Sequence, residues 1–165
     1  RALPPPDADA DTASAGVELL QNPGFELGCG GWETAESTAD ESPVGRTGSA
    51  CRICGTVTGS SFFYAQFVPG AFVEGTQYVG EAWLRADDGD SGAGANPVLR
   101  LELVDKDFNQ IDAVEGNRPS LDGTWRRSTS LIRIKPGTVA MRLELWSQNG
   151  RACYLVDDAS LRVVK

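Results

Sequence analysis

The 165-residue chain has no histidine, a single methionine and no run of 18 apolar residues. Without histidine, Ser-His and Cys-His nucleophile systems and His-ligated zinc or iron centres are excluded. Without the apolar run, no membrane-spanning helix is expected, and no charged start leads into an apolar stretch as in an intact signal peptide. Basic residues are in deficit as well, 15 against 23 acidic, for a net charge of −8. That balance repels phosphate backbones and anionic lipid, so neither nucleic acid nor a membrane surface is an expected partner.

What the chain does have is punctuation. Nineteen Gly and nine Pro interrupt a chain that is 41% hydrophobic, enough for one packed core. Residues 1–15 contain one large apolar side chain, Leu3, with three consecutive prolines and Asp7, Asp9 and Asp11. Such a segment buries too little to order itself, so 1–15 is expected to be a disordered linker or trimmed N-terminus and 16–165 the folded domain. From there strand patterns dominate, at residues 17–20, 49–55, 61–68, 76–85, 98–104, 124–134, 138–146 and 152–164. Each is bounded by Gly, Pro, Asn or Asp, and no segment shows a sustained helical stripe. The expected fold class is all-β, an antiparallel β-sandwich.

Alternation assigns faces. Leu99, Leu101 and Leu103 oppose Arg100 and Glu102; Val139, Met141, Leu143 and Leu145 oppose Arg142, Glu144 and Trp146. Between residues 76 and 85, Tyr78, Gly80, Ala82 and Leu84 oppose Val79, Glu81, Trp83 and Arg85. In the 61–68 segment Phe63, Ala65 and Phe67 read as core, which leaves Tyr64 and Gln66 outside. The outer positions thus repeat Arg, Glu, Gln and aromatic residues on several strands.

Four cysteines, Cys29, Cys51, Cys54 and Cys153, fit two disulfides and an oxidising compartment. The Cys51–Cys54 spacing lacks the strand-to-helix context of a redox motif and the paired knuckles of a zinc site. On a strand, positions three apart face opposite ways, so these two cysteines should take different partners.

Three stretches together resemble the carbohydrate-binding modules of families 4, 9 and 22. They are Asn22-Pro23-Gly24-Phe25-Glu26 with Gly31-Trp32, Gly75-Thr76-Gln77-Tyr78 leading into Ala82-Trp83-Leu84-Arg85, and Asp157-Asp158-Ala159-Ser160-Leu161. Gly123-Thr124-Trp125 matches a further recurrent position. The resemblance implies a galactose-binding-like jelly roll, non-catalytic, secreted or at the cell surface and attached to other domains of the same chain. It also implies a structural calcium at Gly24, Glu26, Gly48 and Asp157, an all-oxygen set that needs no histidine. The closeness of two strands in that fold, with the parity of Leu161 and Val163, favours Cys51–Cys153 and Cys29–Cys54 as the disulfides.

Such modules bind a polysaccharide chain across one sheet, with aromatic rings against sugar faces and polar groups on the hydroxyls. The matching candidates are Trp83, Trp146, Tyr64, Gln66, Glu81, Arg85, Arg100, Glu102, Arg142 and Glu144, with Phe108 flanking them from a turn. Trp32 and Trp125 read as packing residues, and the run Asp87-Asp88-Gly89-Asp90 as a solvated acidic loop. Glu81, Glu102 and Glu144 raise the possibility of glycoside hydrolysis, but interleaved arginines should depress their pKa values rather than raise one to serve as an acid. The competing expectation is an extracellular β-sandwich that spaces or binds proteins and has no glycan ligand.

Overall fold

The computed structural model describes residues 16–87, 94–148 and 150–164. The expected linker 1–15 and residues 88–90 of the acidic run lie outside the described residues. Among the described residues there are ten strands and no helix: β1 (Glu33–Ala35), β2 (Ser37–Ser42), β3 (Ala50–Gly55), β4 (Phe62–Pro69), β5 (Gln77–Ala86), β6 (Val98–Val104), β7 (Gln110–Glu115), β8 (Arg126–Arg133), β9 (Ala140–Ser147) and β10 (Cys153–Val163). They form two five-stranded sheets, a front sheet in the order β1-β4-β9-β6-β7 and a back sheet in the order β2-β3-β10-β5-β8. Every ladder between neighbours is antiparallel, which gives the expected jelly-roll sandwich.

The core lies between the sheets. Leu99, Leu101 and Leu103 from β6 and Met141, Leu143 and Leu145 from β9 are fully buried there, and Leu84, Ile53, Val156 and Leu161 meet them from the back sheet. The alternation in these strands therefore carries directly into packing. Gly80 shows how tight the contact is, since a Cβ on it would come 2.8 Å from a Leu101 methyl. Val139 is a correction to the expected core: it precedes β9 and is 43% exposed.

Residues 17–20, expected as a first strand, form none. They run beside the second half of β10, where the Leu19 N–H donates to the Leu161 carbonyl at 3.1 Å. The returning bond is supplied by a side chain, because the Leu161 N–H donates to Glu18 Oε1 at 2.9 Å. With a carboxylate in place of a carbonyl, the edge is satisfied without a ladder.

A bulge in β10 decides the disulfides. The pairing of β10 with β5 shifts between Asp157 and Ser160, with Asp158 at a φ of 45°. Tyr154 and Val156 point inward before it; Ala159 and Leu161 point inward after it. Parity counted back from Leu161 therefore gives the wrong face for Cys153, which lies outward, directly opposite Cys54 on β3. The bridges are Cys54–Cys153 and Cys29–Cys51, not Cys51–Cys153 and Cys29–Cys54. Cys51 and Cys54 do take different partners, as their strand spacing requires.

Candidate functional site

The outward face of the front sheet gathers most of the expected polar candidates. In register across the sheet, Ala65, Glu144, Arg100 and Glu115 form one row, and Phe67, Arg142, Glu102 and Ala113 the next. Phe63, Trp146 and Val98 form a third. Cation and carboxylate thus alternate both along and across β6 and β9. Arg100 Nη1 lies 3.1 Å from Glu144 and 3.7 Å from Glu102. Arg142 Nη2 lies 2.8 Å from Glu102 and also pairs with Glu144. Two arginines and two glutamates close a ring of four charges with no net charge.

The ring is a floor, not a rim. Glu144 is 1% exposed and Glu102 6%, and Ala65 beside them is fully covered. The cover is partly aromatic: the Arg142 guanidinium sits 5.3 Å from the ring centroids of both Phe63 and Phe67. Phe108, 79% exposed at the tip of the β6–β7 turn, meets Phe67 edge-on at 6.4 Å. At the other end Arg118 lies 5.6 Å from the Trp146 centroid. Arg100 Nη2 donates to Gln110 Oε1 at 2.7 Å, while Arg142 Nε is buried with no partner among the described residues.

Burial overrides pairing at Glu144. Its pKa is raised, with loss of solvent as the largest cause; Arg142 opposes this, Glu102 adds to it and Arg100 opposes it. The expectation that interleaved arginines would leave the carboxylates depressed fails at this residue. Taking a carboxylate out of water costs more here than two guanidiniums return.

Tyr64 and Gln66 do not belong to this face, a second correction. β4 is aromatic on both sides, so alternation leaves its phase ambiguous, and the true phase is the reverse of the expected one. Tyr64 is fully buried, stacked on Trp32 at 5.0 Å, and its hydroxyl donates to the Cys29 carbonyl at 2.8 Å. Burial pushes its pKa up. Gln66 pins the 21–31 loop like a strand residue, accepting from the Gln21 N–H at 2.7 Å and donating back to its carbonyl at 2.9 Å. Phe63 and Phe67, taken as core, are the half-buried rings of the outer face. The half-buried Trp146 in register with Phe63 shows the outer phase of β4, and no sequence feature marks Arg118 or Gln110.

The remaining candidates lie on the opposite side of the sandwich. Glu81, Trp83 and Arg85 project from β5 on the back sheet, so the expected single groove divides into two faces. There the Arg46 guanidinium covers the Trp83 ring at 4.0 Å, with Arg127 at 6.0 Å. Glu81 takes Arg127 at 3.3 Å and Arg162 at 3.2 Å. Trp32 packs in the core cluster, as expected.

The segments named for calcium do meet. The Ser49 N–H donates to Glu26 Oε1 at 3.1 Å, and that carboxylate packs against the Gly48 backbone, where a Cβ would lie 2.2 Å from it. Asp157 is fully buried; its Oδ2 accepts from the N–H groups of Arg46 at 2.7 Å and Thr47 at 3.0 Å, and its Oδ1 from Asp158 at 2.7 Å. Among the described residues no three acidic or cysteine side chains form a metal cluster. The oxygen-only surroundings suit calcium, but Asp157 has little lone-pair capacity left, so Glu26 and main-chain carbonyls would have to carry the coordination.

No family model and no curated protein matches the chain. Solved structures do. A xylan-binding CBM22 domain from Paenibacillus barcinonensis superposes with a TM-score of 0.72 at 19% identity, over 93% of this chain and 98% of its own length. The TmCBM61 module, solved with β-1,4-galactotriose, gives 0.57 at 22% identity, over 89% and 99%. The enzymatically active domain of bacteriophage CBA120 tailspike protein 4 gives 0.71 at 9% identity, and this chain spans 21% of its length. At these identities the likeness shows the fold alone, a jelly-roll β-sandwich.

Proposed function

We propose that the chain is a non-catalytic glycan-binding module of a secreted protein, and that the outer face of the front sheet holds the glycan. One observation carries this reading: half-buried and exposed rings, Phe63, Phe67, Trp146 and Phe108, line a polar floor that is internally neutral. Rings suit the apolar faces of sugars, and guanidinium N–H groups not spent on the carboxylates suit hydroxyls. A ligand without charge leaves the ring of four charges intact. One bearing carboxylates would compete with Glu102 and Glu144 for the same arginines, so the reading favours a neutral polysaccharide. The glycan-binding neighbours of the same fold support it.

Catalysis is not part of the proposal. Glu144 has the raised pKa of a general acid, but both its oxygens are held by Arg100 and Arg142 and the group is 1% exposed. A proton donor must reach the bond it cleaves, and this one is covered. The two disulfides support an extracytoplasmic setting. A calcium ion joining the Glu26 turn, the Gly48 loop and Asp157 is part of the same reading; its test is metal analysis with melting in the presence and absence of chelator, and an unchanged melting temperature in metal-free protein rejects it.

The test of the function is affinity electrophoresis in neutral and acidic polysaccharides, repeated with Trp146→Ala, Phe63→Ala and Trp83→Ala. Retardation lost with the first two and kept with the third is the expected pattern. Retardation that survives both front-sheet substitutions removes this face as the site.

A further inference from the structure

Among the described residues two phenylalanines hold left-handed backbone, Phe25 at a φ of 54° and Phe108 at 63°. For a bulky side chain that conformation is strained and persists only where the surroundings offset it. Phe25 has such an offset: it is fully buried, its ring 5.2 Å from Trp32 and 6.2 Å from Tyr64. Phe108 is 79% exposed and meets Phe67 alone among the described rings. Packing within the fold therefore does not offset the strain at Phe108.

The turn that carries Phe108 is tightly held. Between β6 and β7 the Asp105 N–H donates to the Asn109 carbonyl at 3.0 Å, and the Phe108 N–H donates to the Asp105 carbonyl at 3.1 Å. The Asp105 carboxylate fastens the loop from inside, its Oδ1 accepting from the N–H groups of Asp107 at 2.8 Å and Asn109 at 2.9 Å. Hairpin loops of this length favour glycine at the left-handed position. Here an aromatic ring stands there instead, in solvent and beside the groove. Phe67 and Phe108 meet at 74°, one as floor and the other as wall. Phe63, with Trp146 as its register partner, lies four residues back along β4, about 13 Å away. The Arg142 guanidinium sits between the two ring pairs, 5.3 Å from both Phe63 and Phe67. A disaccharide seated on one pair falls short of the other.

We infer that Phe108 is the wall of a second sugar subsite and makes the front face select linear chains long enough to occupy both ring pairs. The inference rests on the glycan-binding reading of that face. A ring on a loose loop would lose freedom at every binding event, whereas the Asp105 hydrogen bonds fix Phe108 beforehand. Asp105 is a positioning residue, since it holds the turn and does not touch the sugar.

The test is calorimetric titration with di- and hexasaccharides of β-1,4-linked glucose, mannose and xylose, together with thermal melting. In the intact chain the hexasaccharide of at least one series should bind more tightly than its disaccharide. Phe108→Gly should shrink that advantage about tenfold. It should also raise the melting temperature by about 2–4 °C, because glycine relaxes the left-handed position. Asp105→Ala keeps the ring but frees the turn, and should shrink the advantage too. Asp105→Asn retains the Oδ1 acceptor and should keep it at the intact value. An unchanged advantage in Phe108→Gly, with binding that Trp146→Ala still weakens, overturns this inference and leaves the groove standing. A lowered melting temperature in Phe108→Gly also overturns it, because the ring is then packing. Failure of every series to bind, or equal binding by the intact chain, Trp146→Ala and Phe108→Gly, overturns groove and subsite together.

Discussion

The two outer faces of the sandwich carry the same residue types and use them oppositely. On the front face the arginines and glutamates alternate across β6 and β9, and Glu102 and Glu144 are buried beneath aromatic rings. On the back face the pairs of Glu81 with Arg127 and Arg162 lie nearer the solvent, and the Trp83 ring is already covered by Arg46. A buried pair is costly to break and holds its geometry, whereas a solvated pair contributes little and yields easily. Composition alone does not separate the two faces; burial of the charges does.

The largest effect should come from the back sheet. The Cys54–Cys153 bridge spans 99 residues and Cys29–Cys51 spans 22. By loop entropy, replacing the first pair with serines should cost about 5 kcal/mol and the second about 3 kcal/mol, measured by urea unfolding. Below the unfolding transition the Cys54→Ser/Cys153→Ser variant should still bind glycan normally, if the back sheet is scaffold.

Next in size is Arg142→Ala. It leaves Glu102 and Glu144 short of a partner in a covered floor, for a loss of about 3–5 kcal/mol. Arg127→Ala on the back face should cost less than about 1 kcal/mol. Equal costs would erase the distinction between the faces. Trp146→Ala should show the reverse signature to the disulfide variant, with glycan affinity reduced at least about tenfold, or 1.4 kcal/mol, and little change in unfolding midpoint. Trp83→Ala should leave affinity unchanged in the same titration.

The smallest effect is in pH. Glu144 has a raised pKa in the folded state, with desolvation as the largest cause, so protonation favours the fold. Its contribution to stability is fully present below the unfolded value, about 4.3, and is lost as pH rises through the folded value. Glu144→Gln should therefore flatten the fall in stability over that window. Asp122 on the β7–β8 connection behaves oppositely: hydrogen bonds from Arg126 and Thr124 hold its pKa low, and its contribution is lost as pH falls. Asp122→Asn should alter only the acid limb of the same unfolding series.

Much of the fold was legible because several strands have one clear apolar side. Leu99-Arg100-Leu101-Glu102-Leu103 reads the same way as sequence and as structure, and so does Met141 to Leu145. The short strands β1, β2 and β7 were missed; β1 and β2 have little apolar content, so their pairing comes from their neighbours. The site was half legible. Arg100, Glu102, Arg142, Glu144, Trp146 and Phe108 do assemble on one face. Tyr64 and Gln66 were misplaced because β4 carries aromatics on both sides, and the Trp32–Tyr64 stack that sets its phase joins residues 32 positions apart.

The sequence by itself determined the class of architecture, the oxidised state of all four cysteines and the split of strands such as β6 and β9 into an apolar and a polar side. Those properties are local: turn residues, side-chain period and cysteine chemistry act within a few residues. Tertiary structure decided which strands share a sheet, and hence that Trp83 and Trp146 lie on opposite faces of the molecule. It also decided the disulfide partners, through one bulge at Asp158 that reverses the parity of β10. The physical reason is that a period of two identifies residues on the same side of a strand, but neither the sheet it joins nor an inserted residue that shifts its phase.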